Sequence, residues 1–244
     1  PHNPTQYAAV DAGYLAQLPT GTGRGPPPET IEPWITMDYG PQLTATYEVG
    51  NDGTNFAYKG IAIRLDPGPG GVSRGSHWML YDHDTLRVAA AWSGKGFIDW
   101  DAILFNGRHQ VHPRPVGRIH VANPTGPGWA DPQSGGFADP RLRGRDDRLY
   151  GPLPRSWAHY RGLYHFGNQV LLAYTVGDAE VLETPGVETS QATSVFTRTF
   201  QVGRRRRDLV LQVAHHPGGV GLPAGQRQGD SIVFGRAAEE PDAK

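Results

Sequence analysis

The stretch Asn55–Trp92, NFAYKGIAIRLDPGPGGVSRGSHWMLYDHDTLRVAAAW, constrains the fold more than any other part of the chain. Strand-like runs in it flank the loop Asp66–Gly71, where two prolines fix φ and remove donors and three glycines admit angles that other residues avoid. No helix can run through that loop, so it reads as a shaped connector. The same logic holds for the rest of the chain. Thirty-three glycines and twenty-two prolines among 244 residues shorten regular elements and multiply turns, which favours short strands over long helices.

Alternation with period two then places the strands. Leu43, Ala45, Tyr47 and Val49 alternate with Thr44, Thr46 and Glu48, as in a strand with one buried face. Further strands are expected at Phe56–Leu65, His77–Tyr81, Thr85–Trp92, Val116–Val121, Trp157–Phe166, Gln169–Val176, Ala179–Glu183, Val195–Val202, Asp208–Ala214 and Ser231–Phe234. Gly167-Asn168 and Gly177-Asp178 suit tight hairpin turns. The expected fold is all-β, an antiparallel β-sandwich or jelly roll, with Ile61, Ile63, Leu65, Met79, Leu86, Val88, Leu172 and Tyr174 in its core. The expected organisation is an extended proline-rich arm over residues 1–38, one domain over 39–235 and a polar tail over 236–244. Within the arm only Gln6–Leu18 has helical spacing. Between Asn123 and Pro154 periodicity fails, and a loop of that length is expected to be functional or packed as a lid.

Charge and composition narrow the function. Twenty-three lysines and arginines nearly balance twenty-four aspartates and glutamates, so no global field recruits nucleic acid. Without cysteine the chain has no disulfide, thiolate nucleophile, covalently attached c-type haem or cysteine zinc site. No apolar run is long enough to span a bilayer as a helix. The start at Pro1 fits a mature exported protein and a trimmed chain equally well, and a periplasmic or extracytoplasmic location is the expectation.

Several residues can carry chemistry or binding. His109, His112 and His120 are candidate metal ligands, although histidines at this spacing in a loop are more often surface or hydrogen-bonding residues. Asp82-His83-Asp84 pairs two carboxylates at a hairpin tip, where aspartates ordinarily hold the turn backbone. Trp129 lies in a polar loop where no periodicity demands it; an exposed indole there would anchor an interface or stack on a sugar, and a buried one would pin the loop. Arg204, Arg205, Arg206 and Arg207 place four adjacent cations at a turn, suited to an acidic partner or to solvent. No Gly-x-Ser-x-Gly elbow singles out a nucleophile, and no phosphate-loop ending follows the glycines. No catalytic residue or cofactor is assigned.

The segments Asn55–Ile61, Leu65–Gly75, Asp82–Asp84, Gly96–Trp100, His109–Pro113, Gly126–Trp129, Asp139–Arg141 and Tyr150–Arg155 together resemble a domain of unknown function found in large exported proteins of planctomycetes and related bacteria. There it accompanies sugar-dehydrogenase-like propellers and c-type cytochrome modules. The resemblance implies a non-catalytic accessory subunit docking on a membrane-bound, cytochrome-containing electron-transfer complex, such as a photosynthetic reaction centre. Arg204–Arg207 and Trp129 would be its contacts. The alternative is a carbohydrate-binding module whose glycan ligand meets Trp100, Trp129, Asp82 and Asp84, and a metal-dependent hydrolase stands third.

Overall fold

A computed structural model describes residues 33–100, 112–190 and 193–214, and the backbone of 226–228 and 231–234. Two antiparallel sheets make a β-sandwich. The first runs β1 (Gln42–Glu48), β2 (Phe56–Arg64), β3 (His77–Asp82), β4 (Arg87–Ser93) and β5 (Arg118–Ala122) in sequence order. The second is a meander of β8 (Ala158–Phe166), β9 (Gln169–Val176), β10 (Ala179–Ser190) and β11 (Thr193–Val202). Between them lie the short ladder of β6 (Leu142–Arg143) with β7 (Leu149–Tyr150), and after them a small sheet of β12 (Leu209–Gln212), β13 (Gln226–Gln228) and β14 (Ser231–Phe234).

The hairpins follow from their turn residues. Phe166 pairs with Gln169 across Gly167-Asn168, and Val176 with Ala179 across Gly177-Asp178. Both glycines have positive φ, 57° and 58°, at the first central position where a tight hairpin demands it. β10 outruns its expected end at Glu183 and continues through Pro185 and Gly186 to Ser190, because β11 pairs with it along its whole outer half. A proline in an edge-proximal ladder is tolerated when its missing donor is not needed.

The main core fills the space between the sheets. Ile61, Ile63, Met79, Tyr81, Leu86 and Val88 from the first sheet meet Val170, Leu172, Tyr174, Val176 and Val181 from the second. All eight residues expected in the core are there, Leu65 at its margin.

The first sheet is also buried on its other face. Tyr47, Ala62, Trp78, Leu80, Ala90 and Trp92 form a second cluster, closed by Val72, Phe97 and Ile98 from irregular segments. Trp78 Nε1 donates to Val72 O at 2.8 Å and Trp92 Nε1 to Phe97 O at 2.8 Å, so the indoles tie these covers down. Two-sided burial explains the near-continuous apolar run Val88–Trp92.

The Asp66–Gly71 loop is shaped around one side chain. Buried Arg64 donates from Nη1 to Pro69 O (3.0 Å) and Gly71 O (2.9 Å), and its Nη2 pairs with Asp66. Three carbonyls of this one loop, those of Pro67, Pro69 and Gly71, therefore wrap a guanidinium, and Asn168 Nδ2 reaches Gly68 O at 3.0 Å from the β8–β9 turn. The expected helix at Gln6–Leu18 lies outside the described residues.

Candidate functional site

The acidic turn joins β3 to β4. Asp82 Oδ1 accepts the Asp84 amide at 3.2 Å, its Oδ2 accepts Thr85 Oγ1 at 2.9 Å, and Arg87 Nε stands 3.5 Å from Oδ2. Arg87 is itself buried and donates to the carbonyls of Asn123 (2.7 Å), Pro124 (3.0 Å) and Phe56 (2.9 Å) and to Asn55 Oδ1 (2.9 Å). Gly128 N bonds Thr85 O, and Leu153 N bonds Asp84 O. Asp82 thus holds a turn onto which both ends of the long 123–154 segment are fastened.

Asp84 is chemically different. Its carboxylate is buried, and desolvation followed by the Asp82 charge raises its pKa, with His83 and Arg141 opposing. His83 Nδ1 lies 3.4 Å from it, and the imidazole stacks on Tyr160 at 4.7 Å. Arg141 is locked by a fork of bonds to Asp139, the shortest 2.8 Å. The mixed-charge segment folds on itself through such pairs, as Arg148 with Asp146 also shows.

Trp129 is fully buried, at 0% exposure. Its indole Nε1 donates to Tyr174 Oη at 3.3 Å, its ring meets Phe200 edge-on at 5.9 Å, and its carbonyl accepts Trp157 Nε1 at 2.9 Å. The long loop dives into the core here, and backbone bonds of Gly128 and Ala130 with β12 hold it there. Burial removes the indole from any partner or sugar, so the docking and stacking roles expected for Trp129 are corrected to a core role.

Trp100 is half-buried against Tyr39 (5.8 Å) and Phe97 (5.9 Å), beside the cluster on the opposite face of the first sheet. Trp100 and Trp129 are therefore separated by a sheet, and the set Trp100, Trp129, Asp82 and Asp84 does not converge.

The histidines also part company. His109 lies outside the described residues. His112 packs edge-on to Phe56 at 5.4 Å, and desolvation lowers its pKa. His120 Nε2 is 2.8 Å from Ser93 Oγ and its ring lies 5.1 Å from Phe196. Among the described residues no three metal-ligating side chains come together.

Arg204, Arg206 and Arg207 are exposed after β11. Arg206 faces Asp178 at 3.7 Å and Arg207 donates to Pro132 O at 3.1 Å. They border a cleft of about 260 Å3 whose wall includes Ser156, two residues before β8.

Along β8 the surface changes character. Tyr164 and Phe166, 62% and 84% exposed, project from its far end. Arg155, His159 and Arg161 precede them, and residues 148–177 contain no aspartate or glutamate. Aromatic and basic side chains therefore follow one another along β8, with carboxylates contributed only by other segments, Asp178 at Arg206 and Asp84 through His83 at Tyr160. Period-two counting conceals this. Tyr160 and Leu163 both pack on the core, because a bulge between Tyr160 and Gly162 shifts the phase. Counting by two from Tyr160 would bury Tyr164 and Phe166; the bulge turns them outward. The carboxylate-free run is the signal that could have drawn attention to this edge.

Residues 79–183 match DUF6797, a domain of unknown function. The DUF6797 segment runs from within β3 to within β10, and so contains the acidic turn, Trp129 and the β8–β9 hairpin, but not Arg204–Arg207. No curated protein and no solved structure matches the chain.

Proposed function

We propose that this chain is an extracytoplasmic accessory subunit that docks on an acidic surface of a membrane-bound, cytochrome-containing electron-transfer complex. The observation that carries the docking reading is the β8 edge, where Tyr164 and Phe166 stand in solvent on a strand that carries Arg161 and no carboxylate of its own. Exposed aromatics and arginine are the groups that dominate binding hot spots. A surface of one sign steers a partner of the other. Arg204–Arg207 extend the positive field at the near end of the same edge, in place of the contact expected of Trp129. The identity of the partner as a cytochrome-bearing complex rests on the resemblance to domains that accompany cytochromes, and the DUF6797 match itself assigns no function.

The test is purification of the tagged full chain from gently solubilised membranes of its source. Haem absorbance and cytochrome peptides should co-elute with it, at least tenfold less with Tyr164→Ser/Phe166→Ser, and less again as salt rises. A free chain without haem, or binding to a glycan array at affinities the double substitution leaves unchanged, would overturn the reading.

A further inference from the structure

The cleft of about 260 Å3 opens where three connections meet: the Pro132-Gln133 corner of the long loop, the Gly177-Asp178 turn and the stretch from Arg206 to Leu209. Ser156, just ahead of β8, completes the wall. Its base is well fixed. A Cβ on Gly177 would stand 3.1 Å from Pro132 Cγ, so the hairpin turn and the long loop are already in close contact. Gly177 N donates to Trp157 O at 2.7 Å, the Asp131 carboxylate accepts the amides of Gln133 (3.0 Å) and Ser134 (3.3 Å), and Leu209 is buried.

The rim is charged. Arg207 Nη1 donates to Pro132 O at 3.1 Å, which sets its guanidinium at the cleft. Arg206 Nε faces Asp178 Oδ2 at 3.7 Å, with the two side chains 93% and 53% exposed. An ion pair so open to water contributes little, so a ligand can exchange it for contacts of its own without a large loss. Asp131 also feels Arg207, but its carboxylate is engaged with its own loop and lines no part of the cleft.

Size and charge together select what fits. Pockets for drug-sized molecules hold about 300–1,000 Å3, so this one suits something smaller. Two arginines against the single carboxylate of Asp178 leave one positive charge in excess on the wall, and a guanidinium fork matches a planar carboxylate. Asp178, Ser156 and Gln133 bring an acceptor, a hydroxyl and an amide, the groups that hold hydroxyls, while Pro132 and Leu209 bring apolar contact for a short carbon chain.

We infer that this cleft is a binding site for a small hydroxy acid, a monocarboxylate that carries hydroxyl groups. Arg206 and Arg207 take the carboxylate, and Asp178, Ser156 and Gln133 take the hydroxyls. The inference goes beyond the docking reading: the two arginines also lend charge to the docking edge, but the site needs neither the membrane complex nor Tyr164 and Phe166.

Gluconate, glucitol and hexanoate are the probes; they share a carbon count, but glucitol lacks the charge and hexanoate lacks the hydroxyls. The free, 15N-labelled full chain is titrated with each at pH 7 while backbone amide shifts are followed. Gluconate should give saturable shifts at the amides of Asp178 and Leu209, and the other two should each bind several-fold more weakly. Arg207→Gln, at an exposed position, should weaken gluconate about tenfold. Ser156→Ala should weaken gluconate several-fold and leave hexanoate unchanged, which keeps the test open if the arginine variant does not fold. No saturable shift with gluconate, shifts confined to other amides, or glucitol or hexanoate binding as tightly as gluconate overturns the inference. Gluconate binding that Arg207→Gln leaves unchanged overturns it equally.

Discussion

Replacing Trp129 with alanine separates a core indole from a docking indole. A tryptophan side chain buries about 150–250 Å2, and at ~25 cal/mol per Å2 that is roughly 4–6 kcal/mol before subtracting what alanine retains. Truncations of this kind in cores cost about 3–5 kcal/mol. Trp129 has 0% exposure and rests on Phe200 and Tyr174, so little collapse can refill the space. Losing the Nε1 bond to Tyr174 adds little, because Tyr174 still donates to Glu183. The expected loss is about 4 kcal/mol, a large share of the roughly 5–15 kcal/mol typical of a domain. With a urea slope of about 2 kcal/mol per M, the midpoint should fall by about 2 M. Equilibrium urea unfolding followed by far-UV circular dichroism measures this. Trp129→Phe should lose less than half as much. A loss under about 1 kcal/mol, with haem co-elution abolished, would refute the core assignment and restore the interface one.

Two further predictions concern the acidic turn. Gly128 packs so closely on the turn that a methyl group would collide with the Leu86 carbonyl and the Arg87 Cα, so Gly128→Ala should destabilise by about 1–3 kcal/mol in thermal unfolding. Asp84, with its folded-state pKa raised, binds its proton more tightly folded than unfolded; its favourable contribution is present below the ordinary carboxylate pKa and disappears as pH rises through the folded value. Asp84→Asn should therefore raise the melting temperature at pH 7 and flatten its decline between acid and neutral pH, and a lower melting temperature at pH 7 than the parent chain would contradict this.

Much of the fold was legible because glycine-led turns and period-two runs are local signals. Gly167 and Gly177 set the second meander, and the alternation Val170, Leu172, Tyr174, Val176 pointed it at the core. Of the two roles open to Trp129 the structure takes the loop-pinning one, and sequence could not decide between them for a physical reason. Its loop has no period, and what buries it is a non-local backbone pairing with Leu211 that no window of sequence contains. The β8 edge was hidden by a bulge of one residue, which reverses the facing of everything beyond it. Asp82 and Asp84 share a spacing but not a role: one is consumed by Arg87 and the turn, the other is left buried beside an imidazole.

Burial of the first sheet on both faces bears on how its strands find their alignment. A sheet with one wet face rejects a one-residue slip because the slip drags apolar groups into water. The strand Val88–Trp92 has no wet face, so hydrophobicity alone tolerates the wrong pairing. Alignment must then be dictated by polar locks that close in one arrangement only. Arg87, bound to Asn55, Phe56, Asn123 and Pro124, is such a lock, and Glu48 with Arg114 at 2.8 Å is another. On this view these charged locks act chiefly as proofreaders of assembly, and removing them should raise the yield of misaligned, aggregating chains more than it lowers the stability of correctly folded ones.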